Sequence, residues 1–209
     1  MKVVAFNGSP KKEGNTYHAI KMVAAELEKE GIEVEIVHVG DKAIRGCLAC
    51  NVCTEKGDEK CIIANDAVNE WIEKMKMADG IILGSPVHYS AIAGTMKSFL
   101  DRAFYVANKG LFRHKVGAAV VAVRRSGGVA TFNQLNNYIN YAEMLMPTTN
   151  YWNVIHGTAP GEALQDEEGK QIMRVLGKNM AWLMKLVQAG KQTVAEPEKE
   201  NKIMTNFIR

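Results

Sequence analysis

The segment Asn7-Gly8-Ser9-Pro10-Lys11-Lys12-Glu13-Gly14-Asn15-Thr16 gathers hydroxyl, amide and amine side chains around two glycines. Groups of these types suit an anion. Backbone N–H groups in such a loop, followed by the positive end of a helix dipole, favour a phosphate, to which Ser9, Asn15 and Thr16 can donate while Lys11 or Lys12 adds charge. The kind of phosphate follows from what the loop lacks. A nucleotide triphosphatase would carry G-x-x-x-x-G-K-[ST], whereas Gly14 is followed by Asn15. Gly8 and Gly14 do not supply the G-x-G-x-x-G of a dinucleotide site either. Hydroxyls and amides suit a monophosphate ester, and an ordinary turn ending in an Asn or Thr helix cap is the plain alternative.

The second concentration of chemistry is Cys47-x2-Cys50-x2-Cys53-x7-Cys61, which holds all four cysteines within fifteen residues. Four thiolates are the ligand count of a [4Fe–4S] cluster or a structural zinc, and the short two-residue gaps resemble ferredoxin spacing more than a zinc ribbon. Gly46 and Gly57 give such a wrap freedom, and Lys56 and Lys60 offset part of a cluster's negative charge. Two plainer readings remain, metal-free structural cysteines and disulfides, the latter unexpected in a reducing cytoplasm.

These groups need a frame to position them. Val3-Val4-Ala5-Phe6 reads as a buried strand, and Ile20, Val23, Ala24 and Leu27 recur at helical spacing beyond the loop. Residues 32–39 alternate apolar and polar side chains, predicting a strand at or near a sheet edge, and the cysteine loop spans 44–63. Val68, Trp71, Ile72 and Met75 mark an amphipathic helix over 66–77, capped by Asn65 or Asp66. Gly80-Ile81-Ile82-Leu83-Gly84 is a central parallel strand by its continuous burial, and it runs into Ser85-Pro86-Val87-His88-Tyr89-Ser90. A helix follows through Met96, Phe99, Leu100 and Ala103. The fourth strand, 116–123, ends at Arg124-Arg125-Ser126-Gly127-Gly128. A helix over 132–146 stops at Pro147, a fifth strand covers 151–155, and a long helix spans 166–187. This alternation predicts an α/β, doubly wound parallel sheet with helices on both faces over residues 1–190. Residues 191–209 form a tail, extended or disordered unless a partner subunit orders it. Ligands of such sheets sit beyond the C-terminal strand ends, so the loops after the first, third and fourth strands should share one site.

Composition narrows the partners. Of 209 residues 47% are hydrophobic and 23% charged, and the net charge of +3 is scattered along the chain, which argues against nucleic acid as the main partner. No apolar run approaches the length of a membrane span and the N-terminus enters a strand directly, so a soluble, cytoplasmic chain is expected. The five histidines show no ligand spacing, and the eleven methionines fall mainly on helices as core filler. Trp152 and Trp182 are expected in packing or at an interface, and the polar helix over 132–146 at a subunit boundary.

Taken in order, Gly8-Ser9-Pro10…Gly14-Asn15-Thr16, then Gly84-Ser85-Pro86-Val87-His88-Tyr89 with Gly94-Thr95-Met96-Lys97-Ser98-Phe99-Leu100-Asp101-Arg102, and finally Ser126-Gly127-Gly128 resemble the flavodoxin-like NAD(P)H-dependent FMN reductases over about residues 1–190. The resemblance implies FMN held non-covalently in a five-stranded sheet of order 2-1-3-4-5. It assigns the phosphate to Ser9, Lys11, Asn15 and Thr16, one face and edge of the isoalloxazine to Pro86, Val87, His88 and Tyr89, and the pyrimidine end to Ser126, Gly127 and Gly128. Arg124 or Arg125 would add positive charge there, which stabilises an electron-rich flavin. The cysteine pattern resembles the iron-sulfur flavoprotein family, in which Cys47, Cys50, Cys53 and Cys61 would carry a [4Fe–4S] cluster beside the flavin; the gap before Cys61 is at the long end of that family's range.

The implied activity is an FMN-dependent oxidoreductase passing electrons from NAD(P)H or a reduced ferredoxin to an acceptor, which is a quinone, a small organic molecule or a metal ion, in a homodimer or homotetramer. No catalytic acid, base or nucleophile is required. The alternative is a flavodoxin-like electron carrier without its own substrate, which should show an acidic docking face that this net-positive chain lacks. A phosphate-ester enzyme would need a positioned nucleophile or metal carboxylates.

Overall fold

Strict alternation of side chains between two apolar cores builds the sheet. In the computed structural model, which describes residues 1–205 and 207–208, strand β1 (Lys2–Asn7) sends Val4 and Phe6 into one core and Val3 and Ala5 into the other. Strands β2 (Glu33–His38), β3 (Gly80–His88), β5 (Val116–Val123) and β6 (Val154–His156) run parallel to it in the order β2-β1-β3-β5-β6. These five strands follow in the predicted order. The numbering shifts because of β4 (Ala91–Ile92), a short addition that pairs antiparallel with the end of β3, Val87 opposite Ile92 and His88 opposite Ala91. Tyr89 and Ser90 make that turn with φ of 51° and 59°, the two left-handed residues a tight hairpin demands.

One face of the sheet carries α1 (Asn15–Lys29) and α6 (Glu167–Gly190), packed through Ile20, Val23, Leu27, Ile172, Leu176 and Met180. The other carries α3 (Val68–Met77), α4 (Gly94–Val106) and α5 (Gly128–Tyr141). Phe99 of α4 ties these layers together, its ring 4.7 Å from that of Phe6 and 5.3 Å from that of Trp71. No helix among the described residues is long and apolar enough to cross a membrane.

Several bounds differ from expectation for local reasons. The third strand extends through Ser85, Pro86 and Val87 because β5 pairs alongside as far as Pro86 and Ala122. Helix α5 starts at Gly128 and ends at Tyr141, before Pro147, because Glu143 turns at φ 54° and Leu145 then bonds both Lys115 and Gly117 at the sheet edge. The last strand starts only at Val154, since Asn153 reaches the edge with its own side chain, donating to the Ala119 carbonyl at 3.0 Å. The cysteine loop contains a short helix, α2 (Val52–Lys56), that no periodicity announced. Trp152 and Trp182 lie at the surface, as do Met77 and Met146, whereas Met75, Met173, Met180 and Met184 fill the core. Beyond Gly190 the described residues form no helix or strand, yet Glu196 meets His114, the Pro197 carbonyl accepts from Arg113, and Lys202 bonds Tyr141.

Candidate functional site

Four loops at the C-terminal ends of the parallel strands enclose a cleft of about 220 Å³. Ser9, Pro10, Lys11, Gly14, Asn15 and Thr16 form one end, Pro86, Val87 and His88 the middle, Ala122 and Arg124 a further wall, and Gly157, Thr158 and Pro160 the remaining side. The anion loop is held in shape by its neighbours. Asn7, fully buried, donates through Nδ2 to the Lys12 carbonyl at 2.9 Å and accepts from the Ser9 amide at 3.1 Å. The Gly8 amide donates to the Gly84 carbonyl of β3 at 2.8 Å, and His38 Nε2 donates to the Ser9 carbonyl at 2.8 Å. Gly40 packs so closely that a Cβ there would stand 2.1 Å from that same carbonyl, which excludes every other residue.

The groups expected to bind an anion keep donors to spare. Ser9 Oγ accepts from the Lys11 amide at 3.2 Å, and the exposed Lys11 ammonium makes no ion pair among the described residues. Among those residues the amides of Asn15, Thr16 and Tyr17, in the first turn of α1, donate to nothing within the chain. Thr16 Oγ1 is buried and has no hydrogen-bond partner among the described residues. A buried orphan hydroxyl beside free helix N-terminal amides and an unpaired ammonium is the constellation a phosphate completes. Asn15 differs in role from the sequence reading. Its side chain crosses to the loop after β6, donating to the Ala159 carbonyl at 2.9 Å and accepting from the amides of Gly161 at 3.0 Å and Ala163 at 3.1 Å. It builds the cleft's far wall.

Of the flat-ligand residues, Pro86, Val87 and His88 line the cleft. Tyr89 stands fully exposed on the adjoining turn, and Arg125 and Ser126 are exposed beyond the wall, which Arg124 forms instead. Gly127 adopts φ 89°, and a Cβ on it would meet Ser90 Oγ at 2.6 Å, so the loops after β3 and β5 touch there. Gly128 opens α5. His38, Gly40 and the 157–163 loop were absent from the expected site, and Asn7 belonged to the expected loop segment without a role of its own. Only Gly40, following a strand end, carried a readable signal.

The four cysteines line one small apolar pocket with Leu48, Asn51, Ile62, Ile63, Arg102, Tyr105 and Val106. All four are free, and no three His, Cys, Asp or Glu side chains among the described residues converge as a metal-ligand set. The donor chemistry nevertheless suits thiolate ligation: the Ala49 amide donates to Cys47 Sγ at 3.4 Å and Arg102 Nε to Cys61 Sγ at 3.3 Å. Burial pushes the Cys53 thiol up, favouring its neutral form until a cation is present. Asn69 fixes the end of the loop, accepting from the Cys61 amide at 2.8 Å and donating to its carbonyl at 2.9 Å. Ala49, Asn51 and Glu59 all have positive φ, so the loop is tightly wound without glycine at those positions.

A parallel sheet of this order, with an anion cradle and an apolar wall at its C-terminal edge, defines the flavodoxin-like class of nucleotide-binding proteins. The chain belongs to the NAD(P)H-dependent FMN reductase and iron-sulfur flavoprotein family: the family model described as NADPH-dependent FMN reductase matches residues 1–159. It is 38% identical over 195 residues to an iron-sulfur flavoprotein of Methanocaldococcus jannaschii, covering 90% of this chain and 100% of that protein. Among solved structures it resembles RosB with bound 8-demethyl-8-formylriboflavin-5'-phosphate, with a TM-score of 0.72 at 16% identity over 100% of this chain and 94% of the other. A flavodoxin from the domain Archaea gives a TM-score of 0.58 at 18% identity over 88% of this chain and 99% of the other. Those two likenesses show the fold. Membership of the family makes the protein an FMN oxidoreductase.

Proposed function

We propose that the cleft holds FMN with its phosphate on the α1 N-terminus and that the protein passes electrons from NAD(P)H or a reduced ferredoxin to a quinone, a small organic molecule or a metal ion. The observation carrying this reading is the buried, unpartnered Thr16 hydroxyl at the helix start. Ser9 and Thr16, the free first-turn amides and Lys11 bind the phosphate. Pro86, Val87 and His88 orient the ring system and shield one side of it from water. Arg124, in the cleft wall, supplies positive charge toward the reduced ligand, with Ser126, Gly127 and Gly128 closing the pyrimidine end from the next loop. Bound FMN supplies a centre that accepts a hydride and releases single electrons.

Cys47, Cys50, Cys53 and Cys61 hold a [4Fe–4S] cluster on the one-electron side. Supporting this are the shared pocket, the two N–H to sulfur bonds, and the family membership. Exposed Tyr151, Trp152 and Trp182 support assembly into a homodimer or homotetramer. The test is an absorbance spectrum of anaerobically purified protein with parallel iron and sulfide analysis. Flavin bands with about four iron per chain are expected. Flavin without iron would remove the cluster, and failure to bind added FMN would overturn the reading.

A further inference from the structure

Arg102, on α4, is the largest fully buried side chain among the described residues and sits outside the cleft. A guanidinium withdrawn from water is costly unless its donors are met by strong acceptors. Here three nitrogens make five bonds. Nη1 donates to Asp66 Oδ2 at 2.5 Å and to the Arg45 carbonyl at 3.4 Å, and Nη2 to Asp66 Oδ1 at 3.1 Å and the Ile63 carbonyl at 2.8 Å. Nε donates to Cys61 Sγ at 3.3 Å.

Every acceptor belongs to the cysteine segment or its exit, with Arg45 before Cys47 and Cys61, Ile63 and Asp66 at the far end. One side chain from a core helix therefore clasps both ends of the loop. It also sets the place of Cys61, the ligand separated from the other three by the longest gap. The arrangement is polar in a second sense. The Asp66 carboxylate takes the two-nitrogen edge of the guanidinium while the sulfur faces Nε, so the positive charge lies between carboxylate and sulfur. A neutral thiol is a weak acceptor, poorly matched to a buried cation, whereas a metal-bound thiolate is a strong one. The geometry suits a negatively charged sulfur.

Resting on the cluster reading above, we infer that Arg102 is a positioning and potential-setting residue of the cysteine centre: it fixes Cys61 and holds a permanent positive charge against its sulfur, and Asp66 weakens that charge from the opposite edge. Positive charge beside a cluster sulfur favours the more negative, reduced state and so raises the reduction potential.

The experiment assembles the full-length chain anaerobically with iron and sulfide. Iron per chain and the midpoint potential are then measured, by a redox titration followed in electron paramagnetic resonance, for the unaltered protein and for Arg102→Gln, Arg102→Lys and Asp66→Asn. Arg102→Gln is expected to lower the potential and Asp66→Asn to raise it, with Arg102→Lys keeping iron and a potential near the unaltered value. A clasp with only a mechanical role would send Arg102→Gln and Asp66→Asn, which break the same ion pair, in the same direction. Shifts of one sign, or none in either, overturn the inference while leaving the cluster reading intact. Should Arg102→Gln hold no iron, an unchanged potential in Asp66→Asn overturns it on its own. Absence of iron from the unaltered protein overturns the cluster reading itself and the inference with it.

Discussion

Replacing Thr16 by valine should strengthen the flavin-free protein and weaken its hold on FMN. The two side chains are nearly isosteric and both β-branched, so packing and helix preference change little. What changes is one hydroxyl that is buried and unpartnered. An unsatisfied buried polar atom costs about 1–3 kcal/mol, and removing it should return part of that, raising the thermal midpoint by about 2–4 °C per kcal/mol for a chain of this size. With FMN bound the sign reverses. A hydrogen bond to a charged phosphate contributes about 1.5–3 kcal/mol, so its loss should weaken FMN binding by roughly 10- to 150-fold. Thermal unfolding of the flavin-free protein and a fluorescence titration with FMN, run on both forms, measure the two effects. A valine protein that is less stable and binds FMN unchanged would refute the placement of the phosphate at the α1 N-terminus.

Asn15→Ala should release the 157–163 loop by removing three bonds, costing about 1–3 kcal/mol, and hydrogen exchange should show faster exchange at Gly161 and Ala163, the two amides that lose their acceptor. Asp166 caps α6: burial raises its carboxyl, but the amides of Gly169 and His156 outweigh this and hold it below its ordinary 3.8. The unfolded chain therefore takes up the proton first as pH falls. Asp166→Ala should cost about 1 kcal/mol near neutrality, and in denaturant titrations the difference should be complete above the ordinary value and shrink as pH falls through the lower folded one. Cys50→Ala, at the most exposed of the four cysteines, should abolish iron binding while leaving the flavin absorbance unchanged, since the cysteine pocket and the cleft share no residue.

The parallel sheet was legible because each strand carries its own signal, continuous burial in 116–123 and alternation in 32–39. The loop's place between the first strand and α1 was legible because glycine, hydroxyl and amide types mark such a turn locally. What escaped depends on partners distant in sequence. Asn15 is indistinguishable from a phosphate donor until the 157–163 loop is seen against it. Arg124 rather than Arg125 lines the cleft because β5 ends at Val123 and fixes which of two adjacent side chains faces inward. The turn at Tyr89 and Ser90 uses left-handed residues without the Asn-Gly pair that would have announced it. Arg102 could be read as a member of a motif, but not as a buried clasp on a segment 36–57 positions away.

The bonds from Asn15 to Ala159 and Ala163 span 144 and 148 residues. On the ribosome the first strand, its loop and α1 emerge early, but the wall they lean on does not yet exist. At about 5–20 residues per second the nascent chain carries half a cleft for roughly 7–30 s before residues 157–163 arrive. If FMN sits in this cleft as proposed, its capture is a late event in the life of the polypeptide, and a ribosome stalled before that loop would display about three quarters of the chain without the cleft's far wall.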